Sequence, residues 1–320
     1  MKKIIKGFLK LIITIGYPFT FIATGWLKLV RKWDMGNSAF MFWGLLPVPD
    51  HYYHPLINPR KHLKKSLRED RYLPAIDFND KEQLKTLSLF HYNEEILQFS
   101  SGEQKESDDL SYYFNYGSFM SGDAEYLYNM VRHFKPSRII EIGSGASTLI
   151  SVRAQKKNQE ENADFTYKIT CIEPYEWPQL NKLNIDIIRK KVEDMDIAFF
   201  ESLEANDILF IDSSHIIRPQ GDVLFEYLEI LPRLKPGVIV HIHDIFTPKD
   251  YLDEWVYGKE HRLWNEQYLL EAFLSFNKDF RIIGATNYLS HHYRKEFSEK
   301  CPVYAKEEGR EPGSFWMVKN

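Results

Sequence analysis

Two short stretches of the chain put carboxylates and imidazoles within three residues of one another. Asp212-Ser213-Ser214-His215 closes the apolar run Ile208-Leu209-Phe210-Ile211, and His241-Ile242-His243-Asp244 closes Val238-Ile239-Val240. These residue types suit activation of a hydroxyl group. An alcohol is a poor nucleophile at neutral pH, and a positioned imidazole removes its proton as bond formation proceeds. A divalent cation held by carboxylates reaches the same end by lowering the hydroxyl pKa. His241-x-His243 also has the spacing of a zinc pair, but no third protein ligand stands nearby. Successive strand residues face opposite sides of a sheet, and His241 reads as a core histidine. His215 and His243 remain the candidate bases.

Two more apolar runs end in residues suited to holding a ligand. Glu141-Ile142-Gly143-Ser144-Gly145-Ala146-Ser147-Thr148 places two glycines where the backbone turns and a ligand approaches closely. Ser147 or Thr148 is placed to cap the next helix, whose N-terminus favours a carboxylate or phosphate. Cys171-Ile172-Glu173-Pro174 ends in an acid able to accept hydrogen bonds from both hydroxyls of a ribose. Glu173 follows Gly145 by 28 residues, more than the roughly 20 typical of a nicotinamide site.

The elements that must position these residues are legible as an alternation. Candidate strands are Arg138–Ile142, Lys168–Glu173, Ile185–Ile188, Asp207–Asp212, Gly237–Asp244, Phe280–Ala285 and Phe315–Lys319. Helical patterns at Asp123–His133, Ser147–Lys157, Asp222–Leu234 and Asn265–Phe276 lie between them. Apolar strands alternating with helices predict an α/β fold, a Rossmann-like, mostly parallel seven-stranded sheet with helices on both faces. Such sheets bind ligands beyond the C-terminal ends of their strands.

From about Tyr116 to Asn320 the chain resembles the class I S-adenosylmethionine-dependent methyltransferases, and within them the small-molecule branch with Asp-x-x-His at the fourth strand. Ile140-Glu141-Ile142-Gly143-Ser144-Gly145, Cys171-Ile172-Glu173-Pro174, Ile208 to His215 and Leu234-Lys235-Pro236-Gly237-Val238-Ile239-Val240 carry the resemblance. Ser147 replaces the family's third glycine. The resemblance implies S-adenosylmethionine as cofactor, with Glu141, Gly143, Ser144, Gly145, Ser147, Glu173 and Asp212 around it. Gly143 and Gly145 would face the methionine part, Ser147 its carboxylate, and Glu173 the ribose diol. Lys191-Val192-Glu193-Asp194 would lie near the adenine. Tyr116, Gly117, Ser118, Ser121 and Asp123 would close over the cofactor. The fourth and fifth strands would meet beside the methyl group, so that Asp212, His215 and His243 carry catalysis. Catechol-type O-methyltransferases hold magnesium with aspartates at the positions of Asp212 and Asp244. Their next residue is usually Asn and here is Ile245, a departure from the metal-binding pattern; if a cation is held, the resemblance implies Asp212 and Asp244 as its ligands, with His243 or His215 beside them.

The expected reaction is O-methylation of a small or carbohydrate-like acceptor by in-line displacement. A nicotinamide-dependent oxidoreductase and a non-catalytic membrane-associated scaffold are the competing readings. A glycan or glycolipid precursor fits the aromatic residues Trp255, Tyr257 and Trp264, which fall in and after the long connection Ile245–Arg262. The formal net charge of −4 gives no basic footprint for nucleic acid.

The charge is unevenly spread. Residues 1–32 hold seven Lys/Arg and no Asp/Glu, leaving the other 288 residues with 34 basic and 45 acidic groups. Leu11 to Leu27 is a 17-residue run without charge, at the lower edge of what spans a bilayer. The asymmetry points to an anionic membrane surface and a cytoplasmic enzyme attached to the inner membrane face. A signal peptide and a packing arm are the alternatives, and Pro18 is expected to kink or break a helix there. The sequence thus divides into the segment 1–32, a leader at 33–115 and a catalytic domain at 116–320. In the leader, His51 to His54 suggests a ring-stacking loop rather than a metal pair. Arg60, Lys61, Lys64, Lys65, Arg68 and Arg71 suggest a solvated helix face, and Ser100 to Asp109 a polar loop.

Overall fold

The computed structural model describes residues 2–33, 35–99, 110–114, 117–175, 178–259 and 261–320. The expected loop at Ser100 to Asp109 and the expected role of Tyr116 lie outside them. The chain forms two compact units, Met1–Ser66 and Leu67–Asn320.

The second unit is built on a seven-stranded sheet: β1 (Arg138–Ile142), β2 (Lys168–Ile172), β3 (Asp186–Ile188), β4 (Ile208–Ile211), β5 (Ile239–Ile242), β6 (Phe280–Ala285) and β7 (Phe315–Lys319). Their order is β3-β2-β1-β4-β5-β7-β6. The first five are parallel, and β7 runs antiparallel to both β5 and β6. All seven expected strands are present.

Strand alternation divides the core. Ile139, Ile169, Ile208, Phe210 and Ile239 pack with Tyr126, Leu127 and Met130 of one helix (Asp123–Phe134) and Leu149 and Ile150 of another (Ala146–Glu161). Ile140, Ile142, Leu209, Ile211, Val240 and Ile242 pack on the other side with Val223, Tyr227, Ile230 and Leu270. The continuous apolar runs of β1, β4 and β5 follow from this two-sided covering.

Register fixes the site. Ile142 stands opposite both Ile172 and Ile211, and Ile211 opposite Ile242. The next residue of each strand is therefore also in line, giving the row Glu173, Gly143, Asp212, His243 along one edge. Backbone bonds extend the ladder into that row: Gly143 N–H to Ile172 at 3.1 Å, Asp212 N–H to Ile142 at 2.9 Å and His243 N–H to Ile211 at 2.9 Å.

Part of the leader belongs to this unit. The helix Asp80–Ser88 lies against β6, where Asn79 Nδ2 donates to the Ile282 carbonyl and Gln83 accepts from Ala285 N–H. Arg68 and Arg71 are not a solvated face. Arg68 donates to the Asp250 and Tyr251 carbonyls, and Arg71 pairs with buried Glu271 and donates to the Lys249 carbonyl at 3.0 Å. Two guanidiniums thereby tie the chain after β5 to the body, because each offers several donors in a fixed fork.

In the first unit, the helix Lys2–Lys32 runs through Pro18 without a break. Proline removes one bond of the ladder, and the remaining turns suffice to continue the helix. His51 stacks on Tyr53 at 5.6 Å and meets His54 edge-on at 6.1 Å, so this segment is the ring-stacking loop that the sequence suggests.

Candidate functional site

A cavity of about 300 Å³ opens beyond β1, β2 and β4. Gly143, Glu173, Asp212, Lys191 and Glu193 line it, together with Ser213, Ser214, Arg218 and Asp222. Gly143 has φ +81°, and a Cβ there would stand 2.2 Å from the Asp212 carbonyl oxygen. Only glycine fits this crossing between β1 and β4. Gly145 differs. Its backbone is extended, and a Cβ would meet nothing within 4 Å. It faces open space at the start of the helix Ala146–Glu161.

The Glu173 carboxylate accepts from the Ser144 hydroxyl at 3.1 Å and from Tyr175 N–H at 2.9 Å. Ser144 thus orients Glu173. Glu141 and Ser147 lie below the cavity. Glu141 is on the β1 face covered by the Ala146–Glu161 helix, where Ser147 Oγ donates to it at 2.5 Å. Burial pushes the Glu141 carboxyl up to about 7 against the bonds from Ser147 and Thr148. Neither residue is part of the cavity lining.

A second cavity, of about 290 Å³, opens beyond β5. Its walls include His243, Asp244, Phe119, Trp255, Arg262 and Arg310. Gly117, Ser118 and Asp123 line this cavity, not the first. The segment expected to cover the cofactor therefore builds the opposite chamber. Ser121 is buried and bonded to Glu307 at 2.5 Å. Of the three expected ring-stacking residues, Trp255 reaches this cavity, while Trp264 packs on Trp255 at 5.0 Å and on His215 at 4.4 Å.

Between the two cavities stands the acid–imidazole cluster. His215 Nε2 is 3.3 Å from Asp212 Oδ1 and 3.6 Å from Asp244 Oδ2. His243 Nδ1 is 3.5 Å from Asp212 Oδ1 and 3.6 Å from Asp244 Oδ1. One ligand atom from each of Asp212, His215 and Asp244 lies within 4.8 Å of the others. The other imidazole nitrogen of His215, Nδ1, meets buried Glu266 at 2.8 Å. Asp244 and His215 have φ of +57° and +60°, values rare outside glycine.

Hydrogen bonds hold His215 in that conformation. Asn265 and Glu266 donate their N–H groups to the His215 carbonyl at 3.1 and 3.2 Å. Ser214 is bonded through its N–H and hydroxyl to Asp222, and Ser213 donates to Glu226. Burial would raise the Asp212 carboxyl, but the two imidazoles outweigh it and hold it well below the usual range. Burial lowers His243, yet Asp244 and Asp212 push it up to about 9. Burial likewise opposes the charge on His215, and its bonds to Asp212 and Glu266 carry it well above the ordinary value. Burial holds Asp244 above the usual carboxylate range despite both imidazoles. The cluster is a pair of carboxylates that attracts positive charge to one point.

His241 is fully buried, stacks on Phe210 at 3.9 Å and shares a 3.0 Å hydrogen bond with Ser314 Oγ. It is the core histidine that alternation implies. Ile245 is buried, with its N–H on the Gly313 carbonyl at 2.9 Å.

A family model described as a methyltransferase domain matches residues 140–245, from β1 to just beyond β5. A protein of Archaeoglobus fulgidus described as uncharacterized is 32% identical over 183 residues, covering 54% of this chain and 80% of that protein. The chain carries a methyltransferase domain. The oxidoreductase reading falls with that match. Solved structures similar to this methyltransferase include MycE of the mycinamycin biosynthetic pathway in complex with Mg and S-adenosylhomocysteine. That match has 15% identity and a TM-score of 0.31, and covers 61% of this chain and 48% of MycE. This methyltransferase thus spans about half the length of MycE. A S-adenosylmethionine-dependent methyltransferase from Archaeoglobus fulgidus matches at 11% identity and a TM-score of 0.30, over 62% of this chain and 94% of that one.

Proposed function

We propose that this methyltransferase transfers the methyl group of S-adenosylmethionine to a hydroxyl oxygen of a small or carbohydrate-like acceptor. The carrying observation is the cluster of Asp212, His215, His243 and Asp244 between two cavities. One cavity has the features of a cofactor site and the other is walled by aromatic, acidic and guanidinium groups. Holding sulfur, methyl carbon and acceptor oxygen in line supplies much of the rate.

Glu173 binds the ribose hydroxyls, with Ser144 keeping its carboxylate turned toward them. Gly143 and the open space at Gly145 admit the methionine portion. His243 reaches the second cavity, and its neutral form, which fills as pH rises toward about 9, takes the acceptor proton. Trp255 and Arg262 form a wall suited to a sugar-like ring bearing polar substituents.

The donors also fit a divalent cation. Two carboxylate oxygens and one imidazole nitrogen converge, and Glu266 on the far nitrogen of His215 is the partner that metal-bound histidines usually have. When bound there, the cation would lower the pKa of the acceptor hydroxyl. His215 then serves as a ligand rather than as the base, because its nitrogens face Glu266 and the aspartates and it lines neither cavity.

Calorimetry with S-adenosylhomocysteine tests the cofactor site. Glu173→Ala removes a charged acceptor of two hydrogen bonds and should cost about 1.5–3 kcal/mol of binding; unchanged affinity would refute the assignment. A screen of hydroxylated acceptors with radiolabelled cofactor tests the reaction. Loss of transfer on chelation, with recovery on added magnesium or manganese, tests the cation.

A further inference from the structure

The geometry of the N-terminal helix points to a helix lying flat in the interface of an anionic membrane rather than crossing it. Its length alone admits crossing. Ile5–Lys32 is long and apolar enough to span a bilayer, and 31 residues extend about 46 Å. The arrangement around its axis decides otherwise. At about 100° per residue, Lys6, Lys10, Lys28, Arg31 and Lys32 fall within one arc of roughly 100°. Phe8, Ile12, Ile15, Phe19, Ile22 and Trp26 fall within an arc of similar width on the opposite side, at the i, i+3, i+4, i+7 spacing of an amphipathic helix. Ile12 is the least exposed of these six, and it is 49% exposed.

A spanning helix needs its charges at the ends but has no need to align them on one side. Here both ends place theirs on the same side, and Thr14, Tyr17 and Thr24 continue that side through the uncharged middle. Ile13 and Phe21 are the two large apolar residues that interrupt it. This is the form of an interfacial helix, with the apolar side in the acyl boundary and the basic side toward headgroups.

The same unit extends the apolar surface. The short helix Asn37–Trp43 folds back on the C-terminal end of the long one, where Met35 N–H reaches the Val30 carbonyl at 3.0 Å and Arg31 donates to Asn37 at 2.7 Å. Phe40 is buried there, while Phe42 and Trp43 are 81% and 79% exposed. Charge selects the occupant. Residues 1–32 contain no acidic group, so a second copy of the helix would bring like charges together. Anionic lipid headgroups complement them.

The test is cosedimentation of the full-length protein with phosphatidylcholine vesicles, with and without phosphatidylglycerol, retained S-adenosylhomocysteine binding serving as the check on folding. The wild type should bind the anionic vesicles preferentially. Lys6→Glu with Lys10→Glu should weaken binding about 30-fold or more, and Phe19→Arg at least about tenfold. Tyr17→Arg separates the orientations. On a flat helix it adds a charge on the headgroup side and keeps or strengthens binding, whereas in a spanning helix it sits mid-bilayer and abolishes it. Loss of binding in Tyr17→Arg, absence of lipid preference in the wild type, or lipid-free self-association relieved by Phe19→Arg would each overturn the inference.

Discussion

His243→Ala keeps the cofactor and loses methyl transfer, with turnover lower by about 10²–10⁴-fold, the span that general-base catalysis supplies. His243 is the imidazole of the cluster that lines the second cavity, and its position directly after β5 is fixed by the N–H bond to Ile211. Its ring also lies 4.9 Å from that of Phe119, which packs against it from the cavity wall. Removing the imidazole leaves Glu173 and Gly143 in place, so S-adenosylhomocysteine affinity stays within about twofold, a difference of less than 0.5 kcal/mol. The contrasting variant is Glu266→Gln. It touches neither cavity, and it weakens manganese binding by about 10–100-fold through the lost orientation of His215. Single-turnover transfer and manganese titration on the two proteins separate a base from a ligand support. Normal turnover in His243→Ala would place the base elsewhere.

The sheet was legible in the sequence because its central strands are buried on both faces. Continuous runs such as Ile208-Leu209-Phe210-Ile211 have no other stable location in a protein of this composition. Glu173, Gly143, Asp212 and His243 were legible for the same reason, since each directly follows such a run. Glu266 was not. It begins a helix more than 50 residues beyond His215, and a glutamate in a first helical turn is commonplace. Only the folded chain shows it against an imidazole. The pairing of Ser147 with Glu141 was not legible either. Their nearness to the glycine turn suggested ligand contact, whereas strand alternation turns Glu141 under the following helix, where Ser147 satisfies it. The attachment of the leader to the sheet was not legible because Arg68, Arg71 and Asn79 make their partners 170 or more residues away, and such pairings leave no local periodicity. The helix Lys2–Lys32 was legible in composition, but the common phase of its two charged ends required a helix continuous through Pro18.

The two glycines of the β1 turn should respond to the same substitution in opposite ways. Gly143→Ala carries a methyl group into the Asp212 carbonyl oxygen at a left-handed φ. Overpacking and backbone strain each cost about 1–3 kcal/mol, so a loss of about 3 kcal/mol or more is expected, lowering the melting temperature by roughly 6–12 °C at about 2–4 °C per kcal/mol. Because the displaced backbone belongs to Asp212, which lines the first cavity and stands in the cluster, cofactor binding and transfer fall together. Gly145→Ala meets no protein atom and needs no unusual dihedral. Its melting temperature without ligand should stay within about 2 °C of the wild type. Its affinity for S-adenosylhomocysteine should nevertheless drop, because the methyl group enters the space assigned to the methionine portion. Thermal melts of both variants, with and without S-adenosylhomocysteine, read the two effects separately. A Gly145→Ala protein with unchanged ligand-induced stabilisation would mean that the cofactor does not approach this turn, and the placement of its methionine end would have to move toward β4.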